Sequence, residues 1–559
     1  MSSYVSGSAQ AGPPTPPPCP ASRTVVRMAL FALTLAATAA AAWTYAGTIS
    51  GAPDWLRWPL IGLFGVLFGW IALSFWTATL GFFSVLRKPS PARIPEFPEH
   101  FDPGTLPRTA VLVPVYNEDP RRVCAGVRAM LESLRDVGKR HGGASRRFDF
   151  FLLSDSVDPE VWLAEERTWA DLTNGLLEHE RVYYRHRPEN TARKAGNVAD
   201  FVERWGDHYE YMVTLDADSL MAGPTLVEMT RRIAADPSCG ILQAPPTPVG
   251  RTSVLARWQQ FAARLYSPIF LRGFRLWAGC DGNYWGHNAI LRVEPFRACC
   301  DLPRLPGQAP LGGEILSHDF IEAAFMRRAG WGVTLAEDLG GSYEECPTTL
   351  LDWAKRDQRW CQGNLQHGRV LWETAVRSSG HAGLAGVSRL HLAMGVMGYC
   401  ASPLWLAFLA LTLLAAAVGG NGISGANTPI VGLGLFALCM SMLILPKFYS
   451  LLAAARSGQS APFGGVGRAT VGVLCETLLS ALVAPIMMLY HSRFVAATLA
   501  GRVVKWTAQS RDEQRVSWSD ALRSHWPAAA IGVLATAAAA LTAPGALLWL
   551  APVVLGLIL

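Results

Sequence analysis

The chain is apolar at both ends and polar in the middle, and that layout fixes its surroundings before any motif is read. The first apolar run covers about 28–46 and the second about 58–86, each long enough to cross roughly 30 Å of hydrocarbon as a helix. A third (about 391–418) and a fourth (about 429–446) follow the polar centre, with further runs at about 469–490, 494–504, 527–541 and 546–559. About 27 residues precede the first run, which is too far in and too long for a cleaved leader, so it reads as a retained span. Half of the 559 residues are hydrophobic and only 16% are charged, as expected when a polar domain interrupts a membrane bundle.

Orientation follows from basic residues near the span ends. Arg23 and Arg27 precede the first span, Arg87, Lys88 and Arg93 follow the second, and Lys447, Arg456 and Arg468 mark a later loop. The connections at 47–57 and 419–428 hold almost no basic charge. The polar centre is therefore expected on the cytoplasmic side. The eleven cysteines are odd in number and form no CxxC pair, which argues against a disulfide framework or structural zinc. A net charge of +6, spread along the chain, calls for no nucleic acid.

The expected division is a disordered Pro-rich cytoplasmic tail (1–27), two spans (28–86), a cytoplasmic domain (87–388) and two more spans (389–446). A cytoplasmic loop (447–468), spanning or re-entrant segments (469–504), a second cytoplasmic loop (505–526) and two apolar segments (527–559) complete it. Within the polar domain, strand-like runs at 109–117, 148–156 and 211–220 alternate with amphipathic stretches at 120–136 and 161–179. That alternation predicts a mostly parallel sheet with helices on both faces, and no internal repeat is evident.

Several strand ends carry polar side chains. Asp216 and Asp218 close YMVTLDADSL; alternate residues of an extended segment share a face, so both carboxylates can serve one cation, although a solvated turn is the commoner use. Asn117 and Glu118 follow the first strand and Asp155 the second, as ligand contacts or as ordinary turn and cap residues. RPENTARKAGN offers Arg193 and Lys194 to a diphosphate, or to solvent. Asp319 opens the amphipathic stretch SHDFIEAAFMRRAGW, a position where Asp is common for helix electrostatics alone. WAKRDQRWCQGNLQH combines Arg356, Arg359 and Trp360 just before a span, where an interfacial anchor is the plain alternative.

In this order the pieces resemble the inverting family-2 glycosyltransferases, and among them the membrane-embedded processive synthases, over about 105–370. The resemblance implies a GT-A-type α/β domain, with its mostly parallel sheet, inserted in an α-helical transmembrane bundle. It places Asp155 on the donor nucleotide together with Asn117, Glu118, Arg193, Lys194, Asp216 and Arg359. It gives Asp218, helped by Asp216, a Mg²⁺ (or Mn²⁺) ion, and makes Asp319 the catalytic base. Arg356–Trp360 matches QxxRW, except that Arg356 stands where Gln is usual, which leaves the contact from that first position in doubt. Gln243, Trp285, His287, Asn288, Arg356 and Trp360 become acceptor-side residues.

SHDFIEAAFMRRAGW, KRDQRWCQGNLQH and ILQAPPTP look closest to the synthases of osmoregulated periplasmic glucans of Gram-negative bacteria. That likeness implies UDP-glucose as donor, a linear β-1,2 glucan as product, and membrane lipid and a periplasmic glucan-biosynthesis protein as partners in the inner membrane. A related synthase of another β-glycan or of lipid-linked sugar, and an idle channel with the same fold, are the alternatives. Glu476, ionisable within a span, either lines a glucan path or serves helix packing. The stretch at 505–526 is either a gating loop over the donor or a plain connection. Ending about 14 residues after Gly545, the chain is expected to be a truncated or unusually short member.

Overall fold

The computed structural model describes residues 21–89, 91–376, 383–419, 428–504, 516–542 and 544–559. Most of the expected tail (1–20) and much of the expected gating loop (505–515) lie outside the described residues. Among the described residues ten strands form the sheets: β1 (Thr109–Val115), β2 (Phe148–Ser154), β3 (Arg181–His186), β4 (Tyr211–Thr214), β5 (Leu220–Met221), β6 (Cys239–Gln243), β7 (Thr247–Pro248), β8 (Ala289–Arg292), β9 (Gly332–Leu335) and β10 (Ser342–Glu344). Around them lie α3 (Pro120–His141), α4 (Pro159–Thr173), α5 (Arg193–Trp205), α6 (Gly223–Ala235), α8 (Val293–Cys299) and α9 (Asp319–Arg328), while α7 (Val254–Ala278) and α10 (Leu350–Val376) face the bundle.

The main sheet has the order β3-β2-β1-β4-β8-β6-β9. Its strands run parallel except β8, which is antiparallel to both neighbours. The small sheet is β5-β10-β7. β2 is buried at every position, as a strand covered by helices on both faces should be. Local signals set the helix limits. For α3, the Asp119 carboxylate accepts from the Arg121 amide, Pro120 takes the first helical position, and Gly142 at φ 75° ends the helix.

Six helices among the described residues are long and apolar enough to span a membrane: α1 (Ala21–Thr48), α2 (Asp54–Arg87), α11 (Gly386–Gly419), α12 (Thr428–Arg456), α13 (Val466–Leu499) and α14 (Trp518–Thr542). A short apolar helix, α15 (Leu547–Ile558), packs on α13 and α14. The apolar runs at 469–490 and 494–504, read separately from sequence, share the single helix α13 up to Leu499. Their polar interruption is satisfied within the protein, because His491 lies 2.9 Å from Asp357 on α10 and 3.3 Å from Ser402 on α11.

Helix α7 was not visible in the hydropathy, since Arg257, Arg264, Arg272 and Arg275 break its apolar face. It lies against α2 at backbone-to-backbone range. A Cβ at Gly81 would come 1.7 Å from the Ile269 carbonyl oxygen, and one at Gly273 1.9 Å from that of Thr77. Small residues at such a crossing let two helices approach without intervening side chains. Replacing Gly273 by Leu must therefore push the helices apart. The expected result is a loss of at least about 1–3 kcal/mol, read as a lower thermal midpoint in detergent. Gly62→Ala on α2, where a Cβ meets nothing within 4 Å, should leave that midpoint unchanged.

Candidate active site

The carboxyl ends of the parallel strands gather on one edge, where an open α/β sheet places its ligands. β1 leads to Asn117 and Glu118, β2 to Asp155, and β4 to Asp216 and Asp218. Because β8 is inverted, its beginning rather than its end lies on this edge, and it brings the turn Trp285–Asn288 there.

At the first corner, Asn117 adopts φ 53°. Its side-chain oxygen accepts from the Val157 and Asp158 amides at 3.1 and 3.3 Å, and its own amide donates to Ser156 Oγ at 2.8 Å. Asn117 thus stitches the loop after β1 to the loop after β2. Asp155 is 4% exposed and takes both nitrogens of an Arg187 fork, at 2.8 and 2.7 Å. Burial raises the Asp155 carboxyl above its ordinary pKa, while Arg187 opposes the rise. Arg187 also donates to the Arg193 carbonyl at 3.2 Å, joining this corner to the start of α5. Sequence reasoning missed Arg187, which stands 32 residues after Asp155, just past the next strand and at the head of RPEN.

Lys194 joins the remaining pieces. Its ammonium donates to the Asp216 carboxylate and, at 2.8 Å, to the Gly286 carbonyl. Gly286 has φ 83°, and a Cβ there would lie 3.3 Å from Oδ2 of Asp319. A glycine is needed both for the left-handed backbone and for that approach. Asp216, the turn before β8 and the first residue of α9 therefore meet around Lys194 and Gly286. Asp319 is half-buried, and burial raises its pKa; His318 opposes that rise and Glu322 adds to it. Burial alone would lower the His287 pKa, but Asp216 and Glu344 outweigh it and hold it above the ordinary value. Glu344, at the end of β10 and 3.7 Å from His287 Nε2, was not singled out from sequence; burial lifts its carboxyl.

Two expected acceptor residues are placed differently. Gln243 and Asn288 are both 0% exposed. Gln243 accepts from the Trp285 amide at 3.1 Å and donates to the His287 carbonyl at 2.8 Å, while Asn288 donates to Ser342 Oγ at 2.8 Å. With their polar groups occupied inside the protein, they shape the turn. Trp285, half-buried beside α11, stays at the edge. On α10, the Arg356 guanidinium lies 4.4 Å from the centre of the Trp360 ring, which is 48% exposed, and Arg359 precedes it on the same helix. Glu476 is held by Lys447 (2.6 Å), Ser480 (2.6 Å), Tyr266 (2.8 Å) and Trp258 (3.1 Å), and so ties three helices together.

Two family models match the chain: "Glycosyl transferase family group 2" over residues 211–418 and "Glycosyl transferase family 2" over residues 110–299. With the strand-edge site and the GT-A-like sheet, they make this chain a family-2 glycosyltransferase flanked by long apolar helices. Glucans biosynthesis glucosyltransferase H of Shewanella sp. (strain ANA-3) is 44% identical over 517 residues, covering 90% of this chain and 68% of that protein. The protein of the same name from Shewanella oneidensis matches to the same extent. The chain belongs to the glucans biosynthesis glucosyltransferase H family. Among solved structures, a mannosyltransferase from Pyrobaculum calidifontis in complex with GDP-mannose and Mn²⁺ is similar at TM-score 0.42 and 20% identity, over 72% of this chain and 98% of that one.

The Asp155–Arg187 pair has side chains only 4% and 9% exposed. Arg187→Met would leave a buried carboxylate uncompensated, which costs about 3–5 kcal/mol. Chemical denaturation of the purified variant checks this, and an unchanged midpoint would refute the pairing.

Proposed function

We propose that the chain is an inverting, processive β-glucosyltransferase that takes glucose from UDP-glucose and builds the linear β-1,2 backbone of osmoregulated periplasmic glucans. The observation that carries this reading is the convergence of Lys194 and Asp216, the Gly286 turn and Asp319 at one sheet edge. Asn117, Glu118 and the Asp155–Arg187 corner receive the nucleoside. Trp360, Trp285 and the Arg356 guanidinium receive the acceptor sugar, with His287 beside them.

The donor set fits a divalent cation. Asp216 and Asp218 place two carboxylates on one turn, and the Asp216 side chain stays 42% exposed despite its contact with Lys194. Hard cations of this kind take one or two carboxylates and share the rest of their shell with phosphate oxygens. Bound Mg²⁺ or Mn²⁺ supplies charge neutralisation to the departing diphosphate. Arg193, Lys194 and Arg359 add positive charge on the same side.

Asp319 acts as general base. The acceptor hydroxyl oxygen forms its bond to the anomeric carbon as the bond to the diphosphate oxygen breaks. The hydroxyl proton passes to Asp319, and the electron pair of the broken bond leaves with UDP. Attack from the face opposite the leaving group turns an α-linked donor into a β product. A pKa raised by burial makes the Asp319 carboxylate a better base than an exposed one.

Basic residues at the ends of α1 and α2 favour a cytoplasmic catalytic domain at the bacterial inner membrane. The bundle then serves to pass the growing glucan outward, with a periplasmic glucan-biosynthesis protein as its receiver.

In membranes supplied with UDP-[¹⁴C]glucose, Asp319→Asn should lower kcat by about 10²–10⁴-fold while UDP still binds. Polymer formed at the wild-type rate would remove Asp319 from the role. Chelation of divalent cations should stop synthesis and added Mg²⁺ restore it. Linkage analysis of the product separates the donor and linkage readings, since a β-1,4 polymer contradicts the periplasmic-glucan product. The acid limb of kcat should lie above the ordinary aspartate pKa of about 3.9, because Asp319 must lose its proton to work and burial holds that proton on. A limb below that value would contradict a buried base.

A further inference from the structure

Helix α10 carries Arg356, Arg359 and Trp360, and its next two turns grip the segment that leads into Asp319. Gln366 is 1% exposed. Its Oε1 accepts from the Leu316 amide at 2.9 Å and its Nε2 donates to the Glu314 carbonyl at 3.0 Å. One side chain therefore pairs with this backbone as a neighbouring strand would. His367 is 0% exposed; its Nε2 lies 2.9 Å from the Ser317 carbonyl, and its ring stacks on Phe320 at 5.2 Å and 22°.

Ser317 and Phe320 bracket His318 and Asp319, so the imidazole holds both sides of the base. A carbonyl only accepts, so Nε2 of His367 must carry the proton. Burial lowers the pKa of this ring to about 4, with the Ser317 carbonyl opposing, and the ring stays neutral at physiological pH. Gly363 completes the fit, since a Cβ there would lie 2.3 Å from Ser317 Oγ. On the far side α11 closes over the ring, where a Cβ at Gly395 would lie 3.0 Å from His367 Nδ1.

We infer that Gln366 and His367 are positioning residues for Asp319, and that α10 sets the base and the sugar platform in one register. Trp360, Gly363 and His367 follow one another at three and four residues and share a helix face. A displacement of α10 that moved the Trp360 platform would thus move the loop before Asp319 with it. Neither Gln366 nor His367 is placed on the reacting atoms. The inference rests on Asp319 being the base.

The test compares kcat and UDP affinity of the purified full-length protein in His367→Leu, His367→Gln, Gln366→Met and Asp319→Asn. Leucine keeps most of the bulk and loses the N–H, whereas glutamine can return a donor to the Ser317 carbonyl. If a misplaced base is the defect, His367→Leu lowers kcat by about 10²-fold with UDP affinity unchanged. His367→Gln then recovers most of the loss, and Gln366→Met shows the same split. Wild-type kcat in His367→Leu, alongside an inactive Asp319→Asn, overturns the positioning role and leaves the base assignment standing. Wild-type kcat in Asp319→Asn removes the base assignment and this inference with it. Loss of kcat and UDP affinity together in the His367 and Gln366 variants, or loss of folded protein in all of them, assigns these residues to folding alone and overturns the inference.

Discussion

Asp281 ties the catalytic domain to three helices at once. One carboxylate oxygen accepts from Arg27 on α1 at 2.9 Å, the other from Arg327 on α9 at 2.9 Å, and its carbonyl lies 2.9 Å from His391 on α11. Arg27 also donates to the Trp277 and Ala278 carbonyls at 3.0 and 3.1 Å, at the C-terminus of α7, where a cation complements the helix dipole. The Arg27 and Asp281 side chains are only 18% and 12% exposed, so salt screens this junction poorly. The consequence lies at the other end of α9. Arg327 fixes the last turn of a ten-residue helix whose first residue is Asp319, so Asp319 is referred to the helical bundle through a short, stiff rod.

Helix α7 extends that anchorage across the underside of the domain. Glu337, just past β9, takes Arg272 and Arg275 of α7 at 2.6 and 3.0 Å. Tyr266 and Trp258 of α7 reach Glu476 on α13, which also holds Lys447 on α12. Each carboxylate is buried and would be costly without its donors, so these contacts specify one arrangement of the spans around α7. The glycine crossing with α2 then sets the distance. A site referred to the bundle in this way keeps one position relative to the long apolar helices.

Much of this was legible in the sequence because apolar length and alternation are local signals. The long spans, the mostly parallel sheet and the strand-end carboxylates follow from patterns a few residues wide. The direction of individual side chains does not. Gln243 ends a strand in the same way as Asp155, yet it turns inward to clamp backbone, and nothing in LQAP distinguishes the two uses. Arg187, Arg193 and Lys194 form one basic string, but only the fold shows that Arg187 turns back onto Asp155 while Lys194 spans from Asp216 to Gly286. Helix α7 was hidden because its four arginines lower the hydropathy of a face that is apolar only at helical spacing. Glu344 escaped notice because an acidic residue at the end of a three-residue strand, with Glu345 beside it, has no local signature.

The crowding of carboxylates at the sheet edge explains why Lys194 is placed where it is. Asp216 and Asp218 stand two residues apart, with Glu344 and Asp319 facing the same turn. Like charges gathered at short range repel one another. Lys194 offsets one of them directly, and it does so from the first turn of α5, while its second bond fixes the Gly286 carbonyl. The same ammonium therefore holds Asp216 in place and sets the turn that abuts Asp319. The inverted β8 makes this geometry possible, since only a strand that begins on the ligand edge can bring such a turn there. An all-parallel sheet would have delivered another strand end and left Asp319 without the glycine it packs against.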